Sequence, residues 1–134
     1  MIEACTMGPP IPVILVVEDE EVLRSLAVDM VEDAGFIPVV AKNADEAIGI
    51  LETRSDISLL FTDIHMPGSM DGLRLAHAVR HRWPPIKIII VSGKVRLSKM
   101  DMPTDSRFLA KPYDADQLIS ELRSLVDQSR KGGG

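Results

Sequence analysis

Residues 59–67 read LLFTDIHMP, an apolar run that carries one carboxylate, Asp63, and then ends at a proline. A short apolar run bounded by turn residues is typical of a buried β-strand, and the glycines at positions 68 and 72 mark a loop beyond it. Asp63 is therefore predicted at the carboxyl end of a strand. Ligands bind beyond the strand ends of open α/β sheets, so this carboxylate is a candidate functional group, with a turn-capping aspartate as the plain alternative.

The rest of the chain alternates between apolar runs and amphipathic stretches. Strands are predicted at residues 12–17, 38–41, 57–62, 86–91 and 107–110. Helices are predicted at residues 20–34, 43–53 and 72–82 and from 114 onward, with at most a short or irregular fourth helix within 94–106. Strands that alternate with helices form a parallel sheet through right-handed crossovers, so the sequence predicts an α/β fold.

The first predicted helix carries an apolar residue at every fourth position. These residues are Val22, Leu26, Met30 and Ala34, with Leu23 and Val31 beside them. Apolar residues that recur about once per turn form the buried face of an amphipathic helix. We therefore expect these side chains to face the core.

Length and composition limit the class of protein. A chain of 134 residues is long enough for one domain with a real core, and we expect a flexible arm at 1–10, the domain at 11–129 and a flexible tail at 130–134. Fifteen Lys and Arg against 20 Asp and Glu give a net charge of −5, which disfavours direct nucleic-acid binding. The single cysteine, Cys5, cannot form an internal disulfide, and no apolar run reaches the length of a membrane span. A cytoplasmic location without membrane contact is expected.

Polar side chains follow four of the predicted strands. Glu18 and Asp19 follow the first strand, Asp63 follows the third, Ser92 the fourth and Lys111 the fifth. The carboxyl ends of parallel strands share one edge of a sheet, so these groups should lie together. Clustered carboxylates repel one another unless a cation offsets their charge, and their oxygens suit Mg²⁺. The sequence predicts a magnesium site, with a solvated acidic rim as the alternative.

The motifs at these strand ends resemble those of the CheY-like receiver domain of two-component response regulators. In order they are Val17-Glu18-Asp19, Asp63-Ile64-His65-Met66-Pro67, Val91-Ser92-Gly93 and Lys111-Pro112. The resemblance covers about residues 11–129 and is to the single-domain type. It implies a flavodoxin-like three-layer fold, in which a five-stranded parallel sheet of order 2-1-3-4-5 carries helices on both faces.

The resemblance also implies a role for each acidic residue. Asp63 would accept a phosphoryl group from a phosphohistidine on a sensor histidine kinase or a histidine phosphotransfer protein. Asp19 and Asp63 would bind Mg²⁺ directly, Glu18 would act mainly through water, and the backbone carbonyl of His65 would complete the protein ligands. The domain would then catalyse only its own phosphorylation and dephosphorylation.

A conformational switch is implied on the other side of the site. Lys111 would pair with the phosphoryl group, its peptide bond to Pro112 would be cis, and Ser92 would hydrogen-bond the group once it is attached. Movement of Ser92 would let Phe108, where the family often has a tyrosine, rotate inward while residues 93–106 rearrange. An unknown downstream protein would bind the switched surface of a monomer or a phosphorylation-dependent dimer.

Several positions depart from the commonest family pattern. Glu18 replaces a more usual aspartate, Ser92 replaces a threonine and Phe108 replaces a tyrosine; all three are interpreted as tolerated variants. The loop at 68–72 also has one extra residue, a departure that bears on the signalling surface more than on the phosphorylation site. Two other function classes stay open. A degenerate receiver could act as a constitutive protein-binding module, although every site position is filled. A phosphatase of the haloacid dehalogenase type would need an aspartate where this chain has His65. Whether the domain stands alone or belongs to a longer regulator stays open.

Overall fold

A computed structural model describes residues 11–65, 71–93 and 101–132, with side chains up to residue 126. The strands are β1 (Val13–Val17), β2 (Ile37–Ala41), β3 (Ile57–Asp63), β4 (Lys87–Ser92) and β5 (Ser106–Ala110). The helices are α1 (Glu21–Asp33), α2 (Ala44–Thr53), α3 (Gly72–Arg82) and α4 (Ala115–Gly132). Among the described residues no helix is long and apolar enough to cross a bilayer.

Some predicted segments fall partly or wholly outside this description. The arm at residues 1–10, the loop positions 68–70 and positions 94–100 of the predicted short helix lie outside the described residues. Residues 101–105 form turns, and α4 continues to Gly132, into the segment predicted as a tail.

The five strands form one parallel sheet in the order β2-β1-β3-β4-β5, which confirms the predicted fold. Both faces are covered, as the apolar composition of β1 and β3 requires. The helices α2 and α3 pack over one face, against core residues that include Leu15 and Leu60. The helices α1 and α4 cover the other face, against Val16 and Phe61.

The buried face of α1 differs from the predicted one. Val22 and Leu26 are 65% and 47% exposed. Val31 and Ala34 are buried as predicted, and Ala27, which the predicted pattern did not include, is buried as well. A helix turns once every 3.6 residues, so strict four-residue spacing drifts around the axis, whereas alternating spacings of four and three follow one side. Two large apolar side chains of α1 therefore remain on the surface.

Side chains on α3 hold the described end of the connector between β4 and β5. The His77 Nε2 atom hydrogen-bonds to the carbonyl of Asp101 at 2.8 Å, and Arg80 Nε donates to the carbonyl of Thr104 at 2.7 Å. Arg80 Nη1 also donates to the carbonyl of Ile86 at 3.1 Å. Polar contacts to the backbone thus anchor a segment in which the sequence has few regularly spaced apolar residues.

Candidate functional site

The carboxyl ends of β1 and β3 bring three acidic side chains together. Glu18 follows β1 and Asp63 ends the neighbouring strand β3, and one oxygen from each of these residues and from Asp19 lies within 4.8 Å of the others. Glu18 and Asp63 are 7% and 9% exposed, whereas Asp19 is exposed. Two members of the cluster have therefore lost most of their contact with water.

Lys111, which follows β5, supplies a cation to this cluster. Its Nζ atom lies 3.1 Å from Asp63 Oδ2 and 3.5 Å from Glu18 Oε1. Three carboxylates face this one ammonium group, which leaves an excess of negative charge when all are ionised. The donor set is all oxygen and closely spaced, so these residues fit a hard dication such as Mg²⁺.

Burial and charge shift the protonation of Glu18 and Lys111. Burial raises the pKa of Glu18 above its ordinary 4.5, although the N–H of Glu20, at 3.2 Å from its Oε2 atom, and the charge of Lys111 both oppose this shift. Burial by itself lowers the pKa of Lys111, but the hydrogen bond and charge of Asp63, together with Glu18, outweigh it and raise that pKa above 10.5. Lys111 is therefore protonated at neutral pH.

The remaining predicted site residues lie at the same edge of the sheet. Ser92 ends β4 and is 2% exposed, and its carbonyl accepts a hydrogen bond of 3.0 Å from the N–H of Lys111. The Lys111-Pro112 peptide bond is cis, as the resemblance implied. His65 is exposed, two positions after Asp63.

The two residues of the predicted switch share a face of the sheet. The register pairs Ser92 with Ala110 and Ile90 with Phe108. Side chains alternate along a strand, so Ser92 and Phe108 project toward the same face, which α2 and α3 cover. Phe108 is half-buried against that core.

One aromatic residue beside the cluster was missed in the sequence. Tyr113 packs edge-on against Phe61, with ring centroids 6.1 Å apart and planes at 84°. Burial and the charges of Glu18 and Asp63 raise the pKa of the Tyr113 phenol to about 12. Its position directly after Lys111-Pro112 was the available signal.

Gly72 is a second residue whose place in the site was missed. Its N–H donates to the carbonyl of Ile64 at 2.8 Å, and a β-carbon at this position would collide with the backbone carbonyl of Asp63. The hydroxyl of Thr62 donates to that same carbonyl at 2.9 Å. The first residue of α3 thus lies directly against the backbone of Asp63, which only a glycine allows.

Comparison with known proteins agrees with this geometry. The sequence profile of the response regulator receiver domain matches residues 14–123. Over 122 residues the chain is 32% identical to a putative NtrX-like response regulator of Rickettsia bellii (strain RML369-C), covering 87% of this chain and 25% of that protein. Over 116 residues it is 32% identical to the response regulator receiver protein CpdR of Brucella abortus (strain 2308), covering 84% and 95%.

The fold of this chain also agrees with solved structures of receiver proteins. The crystal structure of a response regulator receiver protein from Sinorhizobium medicae WSM419 superposes with a TM-score of 0.83 at 28% identity, over 89% of this chain and 97% of that one. The chain spans about a quarter of the length of the NtrX-like relatives that it matches. On its sequence match and its sheet, this chain belongs to the response regulator receiver domain family.

Proposed function

We propose that this domain accepts a phosphoryl group on the carboxylate of Asp63 and thereby switches a protein-binding surface. The observation that carries the proposal is the environment of Asp63. This carboxylate is buried at the end of a central strand, 3.1 Å from the ammonium group of Lys111, with Glu18 and Asp19 oxygens within 4.8 Å. A nucleophile, a charge-stabilising cation and a set of metal-binding oxygens thus lie at one point.

The transfer requires no other covalent chemistry from the protein. One oxygen of Asp63 attacks the phosphorus of a phosphohistidine, a P–O bond forms, and the P–N bond breaks as the imidazole leaves with the bonding electrons. Lys111 stabilises the charge on the transferring oxygens, and the Ser92 hydroxyl donates a hydrogen bond to the attached group. Attack of water on the phosphorus later releases phosphate and restores the carboxylate.

Glu18, Asp19 and Asp63, with the backbone carbonyl of His65, are the proposed metal ligands. When bound, Mg²⁺ supplies positive charge that offsets the carboxylates and draws electron density from the phosphoryl oxygens. The protein holds its three carboxylates close together against their mutual repulsion, partly through the contacts of Lys111 with Glu18 and Asp63.

Intact mass after incubation with acetyl phosphate tests this function. The wild-type protein should gain one phosphoryl group with Mg²⁺ and none when the metal is chelated. Asp63→Asn should gain none, whereas Asp56→Asn, which changes the aspartate before the same strand, should behave like wild type. An unmodified wild-type protein would favour the constitutive binding module, and a modified Asp63→Asn protein would refute the assignment of the acceptor.

The proposed phosphodonors are a sensor histidine kinase or a histidine phosphotransfer protein, and a separate downstream protein would bind the switched surface. Phosphorylation would draw Ser92 toward the new oxygens and open space on the face that Phe108 shares. His77 and Arg80 fix the described end of the connector through the carbonyls of Asp101 and Thr104, so we expect these two positions to move less than Ser92.

Backbone NMR with and without beryllofluoride and Mg²⁺ tests this switch. We expect chemical-shift changes at Ser92 and Phe108 and in the connector between β4 and β5. Changes confined to the carboxylate cluster, with Phe108 unaffected, would contradict the switch while leaving phosphorylation of Asp63 intact.

A further inference from the structure

A cation on α1 holds the two acidic residues that follow β1 through their backbone. Arg24 Nη1 donates to the carbonyl of Glu18 at 3.1 Å and to the carbonyl of Asp19 at 3.4 Å. The backbone N–H of Arg24 donates to the carbonyl of Glu20 at 2.9 Å. One residue therefore contacts the carbonyls of all three positions in the turn between β1 and α1.

We propose that Arg24 is a positioning residue of the magnesium site, an inference that rests on the proposed function. Other contacts already fix Glu18, because its N–H donates to the carbonyl of Ala41 at 3.1 Å and its carboxylate accepts from the N–H of Glu20 at 3.2 Å. Asp19 is exposed, so core packing does not orient it. The contact from Arg24 to its carbonyl restrains the backbone from which the Asp19 carboxylate projects.

A simple charge effect would act in the opposite direction. A guanidinium on the turn that carries Glu18 and Asp19 repels an incoming dication, so its removal would by charge alone strengthen Mg²⁺ binding. A residue that orients the metal ligands strengthens Mg²⁺ binding instead, and its loss weakens metal binding by about tenfold or more. The sign of the change in affinity therefore separates positioning from charge.

The test is titration calorimetry with Mg²⁺ as the only ligand. Arg24→Met should weaken binding by about tenfold. Arg24→Lys keeps the charge but lacks the planar group that reaches two carbonyls, so it should also weaken binding, though less. Arg123→Met removes an exposed cation on α4 and should bind Mg²⁺ like wild type. Thermal unfolding without Mg²⁺ establishes that each variant is folded.

Binding as tight as wild type, or tighter, in both Arg24 variants would overturn the inference and leave the proposed function intact. If Arg24→Met does not fold, Arg24→Lys alone decides, because its charge is unchanged. A wild-type protein that does not bind Mg²⁺ would overturn the inference and the proposed metal site together. At saturating Mg²⁺ the variants should regain nearly wild-type phosphorylation by acetyl phosphate, and a persistent defect would contradict a role confined to metal binding.

Discussion

The start and the end of β3 each have an aspartate beside a cation, and the two pairs differ in almost every physical respect. Asp56, directly before the strand, accepts hydrogen bonds of 2.8 and 2.7 Å from Arg54, and the Arg54 and Asp56 side chains are 39% and 53% exposed. Asp63 lies 3.1 Å from Lys111, and its side chain is 10% exposed. The first pair joins positions two apart in sequence, and the second joins positions 48 apart.

The difference shows how an aspartate beside a cation gives a surface ion pair at one end and a candidate reactive site at the other. The hydrogen bond from Arg54 lowers the pKa of Asp56, and water solvates both groups. Lys111 is shared between Asp63 and Glu18, with Asp19 beside them, so the acids outnumber the cation. The buried end therefore carries an excess of negative charge when its acids are ionised, whereas the charges of the exposed pair balance.

The largest expected effect is a lower phosphorylation rate when the cation of the buried pair is removed. Replacing Lys111 by alanine removes the cation nearest to Asp63, and loss of one such charge-stabilising group lowers rates on the order of a hundredfold. Replacing Arg54 by alanine should leave the rate unchanged. Initial rates with acetyl phosphate, followed by intact mass, measure both. A Lys111→Ala rate close to that of wild type would show that this ammonium group does not act in the transfer.

The next effect concerns Tyr113. The sequence contains one tyrosine, so the phenolate absorbance of the protein can be assigned to this residue. Because burial and the charges of Glu18 and Asp63 raise the pKa of Tyr113 to about 12, its phenolate absorbance should develop well above the ordinary 10.0 in the folded protein. Asp63→Asn removes one of these charges and should lower the midpoint. Asp56→Asn should not change it, and equal midpoints in all three proteins would contradict the assigned environment.

The same shift gives a dependence of stability on pH. A folded-state pKa above the unfolded value means that the neutral phenol stabilises the fold, fully so below pH 10.0, and that this contribution is lost as the pH rises toward 12. Lys111 adds a loss of the same sign above 10.5. Urea unfolding across this range should show a smaller loss in Tyr113→Phe than in wild type.

A smaller effect is expected on Mg²⁺ affinity. Asp19→Asn removes one proposed ligand and should weaken binding by about tenfold or more. It also relieves repulsion among the acids, so the metal-free protein should become more stable to urea. Asp56→Asn should neither weaken Mg²⁺ binding nor stabilise the protein to urea, because it lies outside the acidic cluster and removes the partner of Arg54. Calorimetry showing unchanged affinity in Asp19→Asn would count against the site.

The smallest effect belongs to the exposed pair itself. Arg54→Ala should shift the urea midpoint only slightly, because exposed ion pairs contribute little to the free energy of unfolding. Added salt should remove even this difference, since it screens exposed charges. A large loss of stability that persists in high salt would show that this pair is not a simple surface contact.

Much of this comparison could be predicted from the sequence. The run that ends at Asp63 is apolar and bounded by turn residues, so the strand and its end were both predictable. The alternation of strands with helices then placed Glu18, Ser92 and Lys111 at the same edge as Asp63. Patterns of residue type were sufficient because the strands of a parallel sheet all run the same way, so the residues at their carboxyl ends lie at one edge.

Other features depend on contacts that such patterns do not record. Arg24 and Gly72 contact backbone carbonyls. Because every residue has a backbone carbonyl, the residue types in the sequence do not reveal such contacts. Tyr113 owes its raised pKa to burial and to carboxylates far along the chain. The apolar face of α1 was predicted correctly at Val31 and Ala34 but wrongly at Val22 and Leu26, which are exposed, because a strict four-residue spacing was followed instead of the helical period.

The most direct test of the central claim is to locate the phosphoryl group on the chain. Borohydride reduces an acyl phosphate to an alcohol, which converts the phosphorylated aspartate to homoserine that peptide mass mapping can identify. After treatment with acetyl phosphate and Mg²⁺, homoserine is expected in place of Asp63, with Asp56 and Asp19 unchanged. Homoserine at either of those positions, or a stable phosphate on His65 without any homoserine, would contradict Asp63 as the acceptor.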